Sequence, residues 1–173
     1  MKIDLVNVNY EYGDYLRKED FRVPYLSDEK RLRPFVGVLF EINNTNYYAP
    51  LSSPKSKFFK MKNTIDFQKI NNGKWGAINF NNMIPVPETE IFPVDIIEDI
   101  TDSIETKQYK SLLIEQLNWC QRNRELIEKK ALKLYNTVLK GSNIKLINRC
   151  CDFKLLEERC LDYERLQKKE YSR

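Results

Sequence analysis

Residues 35–52 read FVGVLFEINNTNYYAPLS, and this stretch decides the fold. Its first eight residues are rich in β-branched and aromatic side chains, with apolar residues on both faces, which is typical of a buried strand. Asn43-Asn44-Thr45 then supplies turn residues. Residues 46–52 return as a second strand, so the stretch predicts an antiparallel hairpin.

Other short elements surround this hairpin. Residues 3–8 alternate in polarity and predict a strand, and residues 11–18 predict a short helix. Residues 65–70 and 75–80 predict a second hairpin, because the intervening Asn71-Asn72-Gly73 is a strong turn signal. Two weaker strand candidates are interrupted by prolines: residues 83–86 and 91–94.

The last third of the chain is predicted to be helical. Ser103 or Thr106 is suited to cap a long helix that runs to about residue 140, where Gly141 ends it. The apolar stripe of this helix repeats at three-, four- and seven-residue spacings and consists of Leu113, Leu117, Cys120, Ile127, Leu134 and Val138. A further helix is predicted over residues 153–168.

These elements together predict an α+β fold, in which helices pack against a strongly bent antiparallel sheet or a small barrel. A chain of 173 residues is long enough for one sizeable core, and it contains no repeat or linker. We therefore expect a single domain over residues 1–173. The sheet would occupy about residues 1–100 and the helices about residues 103–168.

The composition indicates a soluble protein of the cytoplasm, with 42% hydrophobic and 31% charged residues. No apolar run approaches the ~20 residues of a membrane span. The N-terminal stretch MKIDLVNVNYEYGDYL has acidic and polar residues where a signal peptide is apolar. Four cysteines, two of them adjacent at Cys150 and Cys151, fit neither a disulfide framework nor a paired C-x-x-C zinc site.

Histidine is absent from the whole chain. This absence excludes Ser-His-Asp and Cys-His catalysis, histidine-ligated zinc and paired-histidine ribonuclease chemistry. Any proton transfer has to use lysine, arginine, tyrosine, carboxylate or hydroxyl groups. The five glycines form neither a P-loop nor a G-x-G-x-x-G motif. We expect neither a metal ion nor a cofactor.

Charge is divided unevenly along the chain. Between residues 30 and 62 there is one acidic residue, Glu41, and the basic residues are Lys30, Arg31, Arg33, Lys55, Lys57, Lys60 and Lys62. Between residues 63 and 105 two lysines face eight acidic residues. A basic block on one face would attract phosphate groups, although a solvated surface segment would have the same composition.

The segment Ser52-Ser53-Pro54-Lys55 follows the second strand of the first hairpin. Prolines on both sides restrict the backbone, so Ser53 would be held extended at the strand end. In an extended chain Ser53 and Lys55 point to the same face. A hydroxyl and an ammonium group on one rigid face form a candidate phosphate site, and an ordinary Ser-Pro turn is the alternative.

Five blocks in this order resemble the ToxN/AbiQ family of type III toxin–antitoxin ribonucleases. They are Arg33-Pro34-Phe35-Val36-Gly37-Val38, Tyr47-Tyr48-Ala49-Pro50-Leu51-Ser52-Ser53-Pro54-Lys55, Ile78-Asn79-Phe80-Asn81-Asn82-Met83-Ile84-Pro85, the helix from Tyr109 to Ile127, and Cys151-Asp152-Phe153-Lys154-Leu155-Leu156-Glu157-Glu158. Each block alone is a weak signal, but their order over nearly the whole chain is specific.

The resemblance implies a curved sheet similar to that of the MazF/Kid toxins. It implies a metal-independent enzyme that cuts cellular or phage RNA and leaves a 2′,3′-cyclic phosphate and a 5′-hydroxyl. The implied partner is a repeated pseudoknot RNA, which inhibits the toxin, is processed by it and joins it in a closed ring. The implied role is bacterial defence against phage.

The resemblance also implies roles for particular residues. Ser53 and Ser52 match the family's serine and its hydroxyl neighbour, and Lys55 matches the motif lysine. Arg33 stands where some members have lysine; it suits charge stabilisation better than proton transfer. Glu29 occupies the position of a functional tyrosine, so that role would be absent or shifted to Tyr25.

RNA contacts are expected mainly from the basic block and its interleaved aromatic residues. The candidates are Lys30, Arg31, Lys57, Phe58, Lys60, Lys62, Trp75, Asn79 and Lys154. Phe58 and Phe59 could instead anchor their loop to the core, and Trp75 could be a core residue. A non-catalytic RNA-binding module and a MazF-like toxin with a protein antitoxin are the alternative functions.

Overall fold

The structure, a computed structural model, describes residues 3–26, 34–37, 39–42 and 44–170. Within these residues eight strands form one antiparallel sheet. The strands are β1 (Asp4–Val8), β2 (Phe35–Gly37), β3 (Glu41–Ile42), β4 (Thr45–Ser52), β5 (Phe67–Lys69), β6 (Ala77–Asn79), β7 (Ile84–Val86) and β8 (Ile91–Pro93). The helices are α1 (Tyr10–Glu19), α2 (Ser56–Lys60), α3 (Ile104–Arg122), α4 (Arg124–Leu139), α5 (Ile144–Arg149) and α6 (Phe153–Glu170).

Strand β4 is the centre of the sheet, because it pairs with β2, β3, β6 and β7. The main strand order is β5-β6-β4-β2-β1-β8, so β5 and β8 are free edges in the described part of the chain. The mixed helix and antiparallel sheet confirms the predicted class. The barrel alternative is wrong, since a sheet with two free edges is not closed.

The first predicted hairpin forms, but its first strand is interrupted. The Leu39 N–H donates to the Tyr47 carbonyl at 2.9 Å, and the Tyr47 N–H donates to the Phe40 carbonyl at 3.0 Å. Two residues thus oppose one, as in a β-bulge, which bends a strand and increases its twist. The predicted strand over residues 35–42 therefore divides into β2 and β3.

The predicted long helix divides into α3 and α4 at Asn123. The Asn123 side chain donates to the Trp119 carbonyl at 2.9 Å and closes the end of α3. The backbone at Asn123 has φ −108° and ψ 22°, outside the helical range. Sequence periodicity missed this break, because the apolar stripe continues across it with a seven-residue step from Cys120 to Ile127. The short helices α2 and α5 were also not predicted.

Apolar burial joins the helices to the sheet. Tyr47 and Tyr48 of β4 are both fully buried, as are Phe35, Phe80 and Phe153. All four cysteines are buried, and burial raises the pKa of the Cys120 thiol to about 12. They serve as core residues. Within the described residues no helix has the length and apolar character of a membrane span, and no group of acidic or cysteine side chains converges as a metal site.

A buried carboxylate connects β4 to the helical third of the chain. The Tyr47 hydroxyl donates to Glu157 Oε1 at 2.9 Å, and the Tyr135 hydroxyl donates to the same atom at 2.6 Å. Burial and the neighbouring Glu157 raise the pKa of Tyr135 above its ordinary value, so the phenol remains a donor at neutral pH. Strand β4, α4 and α6 therefore meet at one hydrogen-bonded point.

We expect Tyr135→Phe to lower the free energy of unfolding by about 1.5–3 kcal/mol, because the change removes a donor from a buried carboxylate. Urea denaturation measures this value. Tyr10→Phe is the control, since the Tyr10 hydroxyl bonds only to the exposed Glu11 among the described residues and should change stability by less than about 0.5 kcal/mol. Equal effects of the two substitutions would show that Glu157 does not depend on Tyr135.

Candidate active site

The candidate site lies where β4 ends. Ser52 is the last residue of the strand and pairs with Ala77 of β6. Its side chain is half-buried, whereas Ser53, Pro54 and Lys55 are exposed. Lys55 is extended, with φ −138° and ψ 140°, and its carbonyl accepts the Phe58 N–H of α2. Two consecutive hydroxyls and a lysine therefore lie between the end of β4 and the N-terminal end of a short helix.

Ser53 and Lys55 have no hydrogen bond or ion pair from their side chains to any other described residue. A hydroxyl and an ammonium group without protein partners are free to bind an anion from solution. Both side chains are exposed, and the phosphate site that they would form remains a prediction.

Ser52 differs from Ser53, because its hydroxyl has a partner. The Asn79 side-chain nitrogen donates to Ser52 Oγ at 2.7 Å. The strand register explains this contact: Ser52 lies opposite Ala77, and Asn79 is two residues further along β6 on the same face. Sequence analysis placed Asn79 among the RNA-binding residues and missed its contact with Ser52. A β4–β6 register prediction is the signal that could have found it.

The turn before β6 supports the same strand end. Gly76 has φ +95°, and a Cβ atom built there would lie 1.9 Å from the Ser52 carbonyl oxygen. On the other side of the turn, the buried Gln116 of α3 donates to the Trp75 carbonyl at 2.7 Å. The Trp75 ring is half-buried and packs against the core. Close backbone packing thus holds Ser52 in place, and Trp75 contributes to that packing.

Three lysines of the basic block lie on α2 or directly after it. Lys57 and Lys60 of the helix and Lys62 beyond its end are exposed and form no ion pairs with other described residues. Phe58 is buried, with its ring centroid 5.3 Å from that of Phe67. The prediction that Phe58 stacks on RNA is therefore wrong, because its ring faces the core. Phe59, which is 63% exposed, is the aromatic side chain available on this helix.

Other predicted residues lie elsewhere. Lys154 is exposed on α6, with Nζ 3.8 Å from Glu157 Oε2. It therefore belongs to the helical third of the chain. Tyr25 is exposed and lies beneath the Arg17 guanidinium, 5.5 Å from the ring centroid. The remaining predicted site residues lie outside the described residues: Glu29, Lys30, Arg31 and Arg33.

The geometry can now be compared with known proteins. Residues 4–161 match the family described as toxin ToxN of a type III toxin–antitoxin system. The chain belongs to this family. The match includes the whole sheet and the first half of α6, so the strand end at Ser52 lies well inside it.

Related proteins cover almost the full chain. Endoribonuclease ToxN of Bacillus thuringiensis subsp. kurstaki is 38% identical over an alignment of 169 residues that covers 94% of this chain and 86% of that protein. Endoribonuclease AbiQ of Lactococcus lactis subsp. lactis is 30% identical over an alignment of 176 residues, gaps included, that covers 95% of this chain and 91% of that protein. The family match and these relatives confirm the predicted membership of the ToxN/AbiQ family.

Solved structures share the fold. One, concerned with selective toxin inhibition by a non-coding RNA pseudoknot in type III systems, has a TM-score of 0.77 and 34% identity, covering 95% of this chain and 99% of that chain. Another, of AbiQ as a lactococcal anti-phage endoribonuclease, has a TM-score of 0.80 and 29% identity, with the same coverage. The fold described above is therefore the fold of this family.

We expect Gly76→Ala to displace the end of β4, because the added Cβ would collide with the Ser52 carbonyl. Gly141→Ala is the matched control: Gly141 also has a positive φ, +68°, but nothing lies within 4 Å of its Cβ position. The control should lose about 1–2 kcal/mol of stability from backbone strain, and Gly76→Ala should lose more. Amide NMR shifts of Ser52 and Ser53 should change in Gly76→Ala alone; unchanged shifts would contradict the packing described.

Proposed function

We propose that this chain is the endoribonuclease toxin of a type III toxin–antitoxin system, and that it cuts RNA at the end of β4. The observation that carries the proposal is the pair of hydroxyls beside an unpaired Lys55 at a rigid strand end in a member of the ToxN family. Relatives named endoribonuclease match over most of the chain. Such a toxin acts in defence against phage, as described for AbiQ.

The cleavage we propose uses the RNA's own 2′-hydroxyl as the nucleophile. It forms a bond to the adjacent phosphorus while the bond to the 5′-oxygen breaks, and the products are a 2′,3′-cyclic phosphate and a 5′-hydroxyl. This reaction needs in-line geometry, a proton acceptor for the 2′-hydroxyl and a proton donor for the leaving oxygen. No nucleophile from the protein, metal ion or cofactor enters the scheme.

The site residues would supply positioning and charge. Ser53 would hydrogen-bond the scissile phosphate, since its exposed hydroxyl has no partner among the described residues. Lys55 would stabilise the negative charge that develops on the phosphorane. Arg33 would add a second cation; it precedes Pro34, whose carbonyl accepts the Leu51 N–H at 2.9 Å, one residue before Ser52.

The antitoxin we propose is a repeated pseudoknot RNA that binds over the site and is itself processed there. Related structures concern inhibition by a non-coding RNA pseudoknot and a processed non-coding RNA that regulates a bacterial antiviral system. We further propose a closed ring of toxin and RNA in the bacterial cytoplasm, with cellular or phage RNA as the other substrates. The same proposal includes the similarity of the curved sheet to that of the MazF/Kid toxins.

We expect Ser53→Ala to lower the rate of RNA cleavage by roughly 10²–10³-fold, which is the cost of removing one preorganised donor from a transition state. Ser56→Ala is the matched control, because Ser56 is an exposed serine three residues away at the start of α2. The assay uses purified protein with EDTA and end-labelled RNA. Fragments that end in cyclic phosphate support the enzyme; RNA binding without cleavage would support a binding module instead.

The identity of the nucleophile can be tested separately. If the 2′-hydroxyl is the nucleophile, RNA with a 2′-deoxy substitution at the cleaved nucleotide remains intact, and the protein never carries phosphate. Mass spectrometry of protein quenched during turnover measures this. A phosphorylated Ser52 or Ser53 would show that the enzyme uses a covalent intermediate and would refute the proposed mechanism.

The exposed lysines should contribute salt-dependent affinity. Replacing Lys57, Lys60 and Lys62 by glutamine should reduce the slope of log affinity against log salt by about 2, because each phosphate contact with single-stranded RNA contributes about 0.7. Lys129, Lys133 and Lys140 on or beside α4 are exposed and provide a charge-matched control. Fluorescence anisotropy with inactive Ser53→Ala protein measures the slope. An equal change in both triple variants would place RNA binding elsewhere.

A further inference from the structure

The Ser52 hydroxyl at the end of β4 is hydrogen-bonded to the side chain of Asn79 on β6. We propose that Asn79 is a positioning residue, which orients the Ser52 hydroxyl so that its hydrogen points to the scissile phosphate. The contact is the 2.7 Å hydrogen bond from Asn79 Nδ2 to Ser52 Oγ. This inference rests on the proposed function, since it assigns Ser52 a defined role in the same reaction.

The two residues are held by rigid elements. Ser52 is paired to Ala77 and Leu51 is paired to Ile78, so the β4–β6 ladder is complete up to the last residue of β4. Strand β6 also pairs with β5 on its other side, where Asn79 lies opposite Phe67. Asn79 is thus paired with β5, and its neighbour Ile78 has strand partners on both sides, Leu51 and Gln68, which limits the freedom of Asn79 to move. A bond between two such residues has a fixed direction.

Hydrogen-bond chemistry determines what this direction means. A serine hydroxyl has one hydrogen and two lone pairs, and the amide nitrogen of asparagine can only donate. Asn79 therefore occupies a lone pair of Ser52 Oγ, and the Ser52 hydrogen cannot point towards it. No described residue accepts the Ser52 hydrogen, so it remains available for a phosphate oxygen.

This orientation matters for catalysis because a donor that is already aligned needs no reorganisation when charge develops on the phosphate. The amide also polarises the hydroxyl it bonds to, which strengthens the bond that the hydroxyl donates. Ser52 and Ser53 then have different roles. Ser53 is exposed and adjusts to the substrate, whereas Ser52 is half-buried and is a donor of fixed direction.

The alternative role for Asn79, direct contact with RNA, is less compatible with the structure. Asn79 is half-buried, and its donor nitrogen already bonds to Ser52. A purely structural role is also poorly supported, because the backbone pairing of β4 and β6 is formed without this side-chain bond. The two alternatives predict different kinetics: loss of an RNA contact raises KM, whereas loss of orientation lowers kcat.

The test is a double-mutant cycle of Asn79→Ala and Ser52→Ala, measured as steady-state cleavage of a short RNA. We expect Asn79→Ala to lower kcat by roughly 10-fold or more while KM stays within about twofold, and to have no further effect once Ser52 is alanine. Asn79→Asp is nearly the same size, but its carboxylate accepts the Ser52 hydrogen and turns it inward. It should therefore lower kcat at least as much as Asn79→Ala.

The control is Asn82→Ala. Asn82 lies three residues further along the chain, and its side chain donates to the Arg22 carbonyl at 2.8 Å. This variant loses a bond of similar length and should keep the kcat of the parent. Thermal unfolding confirms that each variant is folded. If Asn79→Ala does not fold, the other two variants still provide a test. Asn79→Asp reverses the direction of the hydrogen bond, and Ser52→Ala removes it.

A second measurement does not depend on activity. In Ser52→Ala, the side-chain amide resonance of Asn79 should shift and exchange faster with water, whereas that of Asn82 should not change. Additive effects in the cycle, a change in KM alone, an unaltered Asn79 resonance or full activity of Asn79→Asp would each overturn the inference. A wild-type protein that does not cut RNA would instead overturn the proposed function.

Discussion

The pairing of β4 with four other strands is the constraint on which the rest of the structure depends. Every backbone donor and acceptor buried in this strand needs a partner. Strands β2, β3, β6 and β7 pair with it, and Pro34, Leu39 and Phe40 form further backbone hydrogen bonds with it. Its side chains are buried on both faces, so a shift of register by one residue would exchange Tyr47 and Tyr48 between two different packing environments. The position of Ser52 and Ser53 is consequently set by the whole sheet, although only the end of one strand forms the site.

The helical third of the chain is attached to this sheet through buried carboxylates. Glu157 of α6 accepts hydrogen bonds from Tyr47 of β4 and from Tyr135 of α4. Asp66 beside β5 binds the guanidinium of Arg149 at the end of α5. Burial opposes the ionisation of Asp20, but hydrogen bonds from Arg22 and from the Asp152 N–H outweigh it and hold the pKa of Asp20 below its ordinary value. Single buried ion pairs add little net stability, but breaking one leaves a charge unpaired, which makes these contacts specific.

The chemistry at the strand end follows from a gradient of burial. Ser52 is half-buried and hydrogen-bonded, Ser53 and Lys55 are exposed and unpaired among the described residues, and Lys57 to Lys62 extend the positive charge along α2. Phe58 anchors that helix in the core beside Phe67, so the lysines are presented from a fixed element. In the proposed mechanism, the hydroxyl that must be aligned lies on the sheet, and the groups that would attract a flexible polyanion lie in solvent. Electrostatic attraction needs charge within reach, while transition-state stabilisation needs precise direction.

The sequence by itself determined the composition of the site and the identity of most elements. Local patterns predicted β1, α1, both hairpins and α6, because alternation, turn residues and apolar periodicity act over a few neighbouring positions. The Ser-Pro-Lys segment was singled out by its residues, and the family resemblance then favoured it as the site. Tertiary structure decided features that depend on one specific contact and not on a repeating pattern. These features are the bulge opposite Tyr47, the break at Asn123, the burial of Phe58 and the bond from Asn79 to Ser52 across 27 positions of sequence. A single contact of this kind, whether local or distant, leaves no periodic signal in the sequence.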